Sequence, residues 1–297
     1  MQTIAMVNQK GGCGKSTTAI NAAAALAELD KRVLLVDLDP QAHATIGLGY
    51  DPDSFSHTIY DLLAGKDQAL SNVIVRTPTK GLDLAPCNVL LASAELELGN
   101  MPGKELLLGR GLRDARDGYD LCVIDCPPSL GVLTLNALVT STDIVVPVQV
   151  HYYALEGLKR LLETIRIIRD RFHPYSMENI SLLLTFVEER RTFSRQIQQQ
   201  LRDIFGDLVF DTVIHRDVRL AESPSAGESV LTYAPRCRGA SDYRALASEI
   251  LTGTPKFHEP AESRLRRGIQ KRLSSLFDGV WIPRRTRKRN VTTIEST

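Results

Sequence analysis

The sequence predicts an α/β protein with a doubly wound, mostly parallel sheet and helices on both faces of that sheet. Short apolar runs rich in branched residues alternate with longer stretches of helical periodicity, and the runs are too short to form helices. Strands joined through helices pair in parallel, and the helices cover the sheet. Acidic residues directly follow two of the runs, at the edge where open α/β sheets bind their ligands. We therefore expect a ligand site at the carboxyl ends of the strands.

A glycine-rich loop at residues 10–17 separates the first predicted strand, at 3–7, from an alanine-rich helix at 19–29. Glycines allow successive backbone N–H groups to turn inward around an anion, and the positive end of the helix dipole points to the same place. The pattern predicts a P-loop in which Lys15 contacts the β- and γ-phosphates and Ser16 coordinates Mg²⁺. A plain glycine turn is the alternative. The residues predicted to bind the nucleotide in this loop are Gly11, Gly12, Cys13, Gly14, Lys15, Ser16 and Thr17.

Two later strands end in carboxylates. Asp37 and Asp39 follow the apolar run at 33–36, and Asp125 follows the run at 121–124. Asp125 has the arrangement of a Walker B aspartate, which supports Mg²⁺ directly or through water. Loop capping is the alternative for the Asp37 and Asp39 pair. Two prolines after Asp125 predict a loop close to the γ-phosphate.

The rest of the chain continues the alternation of strands and helices. His151 is predicted to be a loop or interface residue, and the cysteines at 122 and 126 are predicted to pack in the core. Further strands are expected at 82–85, 144–148, 180–186 and 209–214, and helices at 58–64, 106–116, 194–205 and 241–251, with another that ends near 171.

Composition is ordinary for a globular protein, with 43% hydrophobic and 24% charged residues in 297. Five cysteines without a C-x-x-C pair argue against a disulfide framework and favour a reduced cytoplasm. Neither a leader pattern nor an apolar run long enough to span a membrane is expected. We expect a soluble ATPase domain at residues 1–252 and a separate extension at 253–297.

The extension is strongly basic, with 11 Lys/Arg against 4 Asp/Glu from residue 256 onward. Apolar residues at three- and four-residue steps predict an amphipathic helix at about 262–281, followed by a disordered basic tail. Such a helix has three possible sites of contact: an anionic membrane, a partner protein, or the surface of its own domain. The sequence leaves all three open.

Five segments, in order, resemble the ParA/Soj branch of the ParA/MinD family of deviant Walker A ATPases. Position 9, where the common P-loop has glycine, is Gln9, and Lys10 precedes the paired glycines, as in this family. The resemblance extends from residue 1 to about 252. The matching segments are 8–12, 37–41, 125–129, 152–157 and 218–225.

The resemblance implies a homodimer that encloses ATP and Mg²⁺, binds DNA without sequence preference, and hydrolyses ATP when a ParB-like or other cargo-linked activator stimulates it. It implies that Lys10 reaches the partner's nucleotide, that Asp39 orients the attacking water near the metal, and that Ser16 and Asp125 hold the metal. The family has Pro-Arg-Asn in its adenine loop, where this chain has His215, Arg216 and Asp217. By the same resemblance Arg191 and Arg219 face DNA, joined by Arg195, Arg216, Arg236 and Arg238.

These implications favour a cytoplasmic, nucleoid-associated ATPase that segregates or positions a chromosome, plasmid or other cargo. One alternative is a MinD-like ATPase that binds the membrane peripherally through residues 262–281. Another is a metabolic relative, either a reductase ATPase with an iron–sulfur cluster or a small-molecule ligase. The cysteine spacing does not favour a cluster.

Overall fold

A computed structural model describes residues 1–65, 69–151, 154–172 and 179–253. The predicted amphipathic helix at 262–281 and the basic tail lie outside the described residues. Within them, no helix is long and apolar enough to cross a membrane. All five cysteines are free thiols, as their spacing predicts.

The described strands form one eight-stranded sheet in the order β3-β4-β2-β5-β1-β6-β7-β8. Every pairing is parallel except the one between β3 and β4, so the prediction of a mostly parallel sheet is confirmed. The two-residue strand β3 was not predicted, because so short a run carries no periodicity. The strands are Gln2–Met6 (β1), Val33–Asp37 (β2), Val75–Arg76 (β3), Leu82–Ala85 (β4), Leu121–Asp125 (β5), Asp143–Gln149 (β6), Asn179–Val187 (β7) and Val209–His215 (β8).

Twelve described α-helices connect and cover these strands. The helices are Lys15–Glu28 (α1), His43–Gly47 (α2), Ile59–Leu63 (α3), Leu70–Val73 (α4), Leu91–Glu97 (α5), Leu107–Gly111 (α6), Val132–Thr140 (α7), Ala154–Phe172 (α8), Thr192–Phe205 (α9), Arg219–Glu222 (α10), Val230–Tyr233 (α11) and Arg238–Thr252 (α12).

The single helix predicted at 106–116 is wrong. The segment consists of a 3₁₀ turn, the five-residue helix α6 and a second 3₁₀ turn. Gly109 and Gly111 lower the helix propensity here. A Cβ on Gly111 would lie 2.5 Å from Leu62 Cδ2, so glycine is needed for the close approach to α3.

Helix α12 begins three residues earlier than the sequence predicts. Its first turn is stabilised by two side chains that precede it: Asp217 Oδ2 accepts a 2.9 Å hydrogen bond from Gly239 N, and Cys237 Sγ accepts one from Ala240 N. Acceptors at a helix N-terminus satisfy N–H groups that have no partner within the helix.

Two apolar cores lie on the two faces of the sheet. Helices α1, α11 and α12 pack on one face with β1 residues such as Ile4 and Met6, whereas α3 and α5 to α9 pack on the other. Alanines from Ala22 to Ala25 in α1 are fully buried, and their small side chains allow α12 to approach closely, where Tyr243 OH lies 3.2 Å from Thr18 Oγ1. The doubly wound arrangement is confirmed.

The order of the strands in the sheet determines where the predicted site lies. Strand β5 lies between β1 and β2, and Asp125 is in register with Met6 on one side and with Asp37 on the other. The loop that follows β1 and the acids that end β2 and β5 therefore meet at one edge of the sheet.

We predict that Leu34→Ala lowers the free energy of unfolding by about 3 kcal/mol, because it leaves a cavity in a core that packs densely. Leu34 is fully buried in the central strand β2. Urea denaturation of the nucleotide-free protein measures the change. The matched control is Leu96→Ala, whose leucine is 85% exposed and whose loss is expected to stay within about 0.5 kcal/mol. Equal effects of the two substitutions would contradict the assigned core.

Candidate functional site

The loop between β1 and α1 is shaped for an anion. Gly12 and Gly14 have left-handed backbones, with φ of +69° and +92°, and Gly14 immediately precedes α1 without any side chain that caps the helix. No described atom lies within 4 Å of the position that a Cβ would take on Gly11 or Gly12. The uncapped N–H groups of α1 and the open side of the loop thus form a concave surface suited to phosphate.

Lys15 is a buried cation in the first turn of α1. It is only 6% exposed, and no carboxylate of a described residue lies within ion-pair distance of it. Buried charges in proteins are normally paired. An anionic ligand in the loop would supply the missing partner.

Asp125 is a buried carboxyl group at the same place. It is fully buried, and neither carboxylate oxygen has a hydrogen-bond partner among the described residues. Burial raises its pKa well above the ordinary value, and Asp37 raises it further, while Ser16 and Lys15 act in the opposite direction. Ser16 approaches the carboxylate without reaching hydrogen-bond geometry. Oxygen ligands of this kind fit Mg²⁺, which needs few protein ligands when phosphates and water supply the rest.

The two acids after β2 differ in their contacts. Asp37 accepts three hydrogen bonds, from the backbone N–H and the hydroxyl of Thr45 and from Asp39 N, and burial raises its pKa to about 6. Loop capping therefore accounts for Asp37. Asp39 is 5% exposed, and only its Oδ1 accepts a hydrogen bond, from Gln41 N at 3.0 Å, within the described structure. Its second oxygen remains available.

The Lys10 side chain is held by two residues at and after the end of β6. Its Nζ contacts His151 Nε2 and donates a 2.7 Å hydrogen bond to Gln149 Oε1, at the end of β6. Burial and the nearby Lys10 charge lower the pKa of His151, so the neutral ring is favoured as an acceptor. His151 lies in the loop after β6, as predicted, and its contact with Lys10 was not predicted.

The residues at and after the end of β8 have partners within the protein. His215 Nδ1 lies 2.9 Å from Asp242 Oδ2, and its Nε2 lies 2.9 Å from Glu189 Oε1. Asp217 Oδ1 accepts from Arg219 N at 3.0 Å while its Oδ2 accepts from α12. Burial alone would raise the pKa of Asp217, but these backbone hydrogen bonds lower it below the ordinary value. The side chains of His215 and Asp217 thus hold β8 and α12 together.

Comparisons with known proteins agree with this geometry. A family model described as "AAA domain" matches residues 1–178. The Sporulation initiation inhibitor protein Soj of Bacillus subtilis is 44% identical over 247 residues, which cover 83% of this chain and 97% of that protein. The Chromosome-partitioning ATPase Soj of Thermus thermophilus is 46% identical over 251 residues, which cover 84% and 96%. This chain belongs to the ParA/Soj family of P-loop ATPases.

A solved structure extends the comparison to three dimensions. The cobyrinic acid a,c-diamide synthase from Mycobacterium smegmatis, with a bound ATP analogue and magnesium, matches with a TM-score of 0.75 and 35% identity. The match covers 87% of this chain and all of that one. The P-loop fold predicted from the sequence is thereby confirmed.

Around the ends of β7, β8 and α12, this ParA/Soj chain carries a group of arginines that we call the arginine face. Four of these arginines form ion pairs with glutamates of the same chain: Arg191 and Arg216 with Glu188, Arg219 with Glu222, and Arg238 with Glu189. The members of the face are Arg190, Arg191, Arg195, Arg216, Arg219, Arg236 and Arg238.

Arg190 was missed by the sequence reasoning. It is exposed and, like Arg195 and Arg236, has no ion pair with a described residue, whereas the neighbouring Arg191 is paired with Glu188. The composition of the segment does not show which of the two adjacent arginines is paired. The position of Glu188 in the fold does, because its carboxylate reaches Arg191 and leaves Arg190 without an ion pair to a described residue.

We predict that the nucleotide-free protein loses stability as the pH rises above the ordinary pKa of aspartate, near 4, because the folded state holds protons on Asp125 that the unfolded state releases. One such group lowers the free energy of unfolding by at most about 1.4 kcal/mol per pH unit, and Asp125→Asn should make this decline less steep. Urea denaturation from pH 4 to 8 in EDTA measures both curves.

Asp120→Asn is the control, because the pKa of Asp120 is shifted in the opposite direction from that of Asp125. A hydrogen bond from Arg32 lowers the pKa of Asp120 to about 2, so its contribution is present above the ordinary pKa and is lost only as the pH falls below 4. This variant should keep the wild-type slope between pH 4 and 8. Parallel curves for wild type and Asp125→Asn would contradict the assignment.

Proposed function

We propose that this chain binds ATP with Mg²⁺ in the loop at residues 10–17, dimerises in that state, binds DNA without sequence preference, and hydrolyses ATP when a cargo-linked activator engages it. The observation that carries the proposal is a pair of buried ionisable groups at the uncapped start of α1: Lys15, which forms no ion pair with a described residue, and Asp125, whose oxygens accept no hydrogen bond from one. A triphosphate with its metal would satisfy both groups at once.

The residues present fit a magnesium nucleotide. Gly11 to Thr17 provide backbone N–H groups and Lys15 a cation for the phosphates, while Ser16 and Asp125, with Asp39 nearby, provide oxygen ligands or hydrogen-bond acceptors for the metal and its water. The diamide synthase relative is named with an ATP analogue and magnesium. When bound, Mg²⁺ neutralises the charge that develops on the transferred phosphoryl group. The described residues contain no group of three or more His, Cys, Asp or Glu side chains that could bind a metal ion by themselves. This agrees with a metal whose ligands come largely from the nucleotide and water.

For hydrolysis, we assign Asp39 the task of orienting the attacking water through its free oxygen. We assign Lys10 to the partner's nucleotide, where a cation stabilises the transition state. In the isolated chain the Lys10 ammonium is held by Gln149 and His151. Catalysis would then require a second copy of the chain.

The arginine face is our candidate for DNA. Arg190, Arg195 and Arg236 offer exposed guanidinium groups, and Arg219 and Arg236 line an open groove of about 560 Å³. Arg191 and Arg219 join them once their glutamates are displaced. Such contacts with phosphates bind DNA of any sequence and weaken steeply with salt.

The relatives named as chromosome-partitioning proteins favour segregation or positioning of a chromosome, plasmid or other cargo as the task. For this task we place the protein in the cytoplasm, on the nucleoid, and assign a ParB-like protein as its activator. The small-molecule ligase alternative has weaker support, since the diamide synthase is 35% identical and the Soj relatives are 44% and 46% identical. The MinD-like alternative depends on residues 262–281, outside the described structure.

We predict that Lys15→Ala weakens ATP binding by about 100-fold, because it removes a cation that makes charge-assisted hydrogen bonds to phosphate. Titration of a fluorescent ATP analogue with Mg²⁺ measures the affinity. Lys80→Ala, at an exposed turn, is the control and should bind like wild type. Tight ATP binding by Lys15→Ala would contradict the loop assignment.

We predict that Lys10→Ala keeps nucleotide affinity but lowers activator-stimulated turnover by about 1000-fold, the scale on which a cation supplied by a partner acts. Phosphate release with DNA and the activator measures turnover. Gln149→Ala is the matched control, since Gln149 holds only the resting lysine, and its turnover should remain normal. Normal turnover by Lys10→Ala would remove this residue from the mechanism.

A further inference from the structure

The end of β7 joins the phosphate loop to the arginine face. The Thr185 hydroxyl donates a 2.9 Å hydrogen bond to the Cys13 carbonyl oxygen, and both residues are buried. The Phe186 ring lies 3.7 Å from the position that a Cβ on Gly14 would take, so the ring packs against the loop backbone. Thr185 and Phe186 thus connect the phosphate loop directly to the end of β7.

The backbone of β7 is irregular at this point. Phe186 has a φ of +55°, which is unfavourable for a residue with a side chain, and the pairing with β8 shifts register between Leu184 and Val187. Such conformations persist where the surroundings impose them, and they cluster at ligand sites and switch regions. Bulges also redirect the side chains that follow them. The segment between the loop and Glu188 is therefore a strained connection.

Glu188 follows this bulge and holds two arginines. Its Oε2 lies 2.5 Å from Arg191 Nε and its Oε1 lies 2.9 Å from Arg216 Nη1. The glutamate side chain is 26% exposed, whereas the arginines are 70% and 67% exposed. One carboxylate thus neutralises guanidinium groups from two different loops, after β7 and after β8.

A DNA phosphate and the Glu188 carboxylate compete for the same guanidinium groups. We propose that Glu188 restrains Arg191 and Arg216 in the nucleotide-free chain, and that nucleotide in the phosphate loop releases both arginines for DNA through movement of Thr185 and Phe186. The inference rests on the proposed binding of DNA and adds how that binding depends on nucleotide. Glu188 is a positioning residue in this scheme, since it touches neither nucleotide nor DNA.

The pair formed by Arg219 and Glu222 provides an internal comparison. It has the same chemistry, with 2.8 Å between Arg219 Nη1 and Glu222 Oε2 and similar exposure, 51% and 40%. Both residues lie on α10, and Glu222 also accepts a hydrogen bond from Tyr233. No described contact ties this pair to the phosphate loop, so its restraint on Arg219 should not depend on nucleotide.

The experiment measures DNA binding by full-length wild type, Glu188→Gln and Glu222→Gln, without nucleotide and with a non-hydrolysable ATP analogue and Mg²⁺, at several salt concentrations. Glu188→Gln is expected to raise DNA affinity about fivefold without nucleotide, the scale of two exposed ion pairs. Its salt slope should steepen by about 0.9 for each added phosphate contact. With the ATP analogue, its affinity should equal that of wild type. Glu222→Gln should change affinity by the same factor in both states.

A second variant tests the connection itself. Phe186→Gly removes the ring that packs on the loop and keeps every glutamate and arginine. With nucleotide binding verified by titration, its DNA affinity is expected to respond to the ATP analogue at least threefold less than that of wild type, on the scale of a lost packing contact.

Three results would overturn the inference. Equal effects of Glu188→Gln in both nucleotide states would make Glu188 a plain neutralising charge, and no effect in either state would remove it from DNA binding. An unchanged nucleotide response of Phe186→Gly would break the connection. In these cases the wild type still binds DNA and the proposed function stands. Failure of the wild type to bind DNA in either state would overturn the proposed DNA binding and the inference together.

Discussion

The carboxylate of Asp125 lies buried between β1 and β2 without a hydrogen bond from any described residue, and the buried ammonium of Lys15 lies nearby without an ion pair. Both arrangements cost free energy in an isolated chain, because polar and charged groups lose their hydration when they are buried, and for Asp125 this cost is seen as a raised pKa. A fold retains such groups where a ligand compensates them. The rest of the site is consistent with this constraint: the loop is open on one side, the helix start is uncapped, and Asp39 has a free oxygen.

The fold maintains this arrangement through its sheet order and through one small-residue helix. Because β5 lies between β1 and β2, the loop after β1 and the acids of β2 and β5 meet at the same edge of the sheet. The buried alanines of α1 bring that helix close to both the sheet and α12, and so fix the position from which Lys15 projects. Asp37 accepts hydrogen bonds from Thr45 and from the backbone of Asp39, and so ties the loop that carries Asp39 to the end of β2.

The phosphate loop and Asp125 could be predicted because their chemistry is local: a glycine pattern between a strand and a helix, and an acid at a strand end. Arg190 and Glu188 could not, because the ion pair of Glu188 with Arg216 joins residues 28 positions apart. The helix predicted at 106–116 failed for a related reason. Gly109 and Gly111 lower the helix propensity locally, but the close approach of Gly111 to Leu62, which requires glycine there, joins residues 49 positions apart. The early start of α12 likewise depends on Asp217, a residue that the family resemblance placed in the adenine loop.

The central claim is that a magnesium nucleotide provides the partners that Lys15 and Asp125 lack at the start of α1, and allows two chains to associate. The most direct test is light scattering of the full-length protein after gel filtration, with a non-hydrolysable ATP analogue and Mg²⁺ and again in EDTA without nucleotide. The account predicts the mass of two chains with the analogue and of one chain in EDTA. A single-chain mass in both conditions, with no analogue retained in the protein peak, would contradict it.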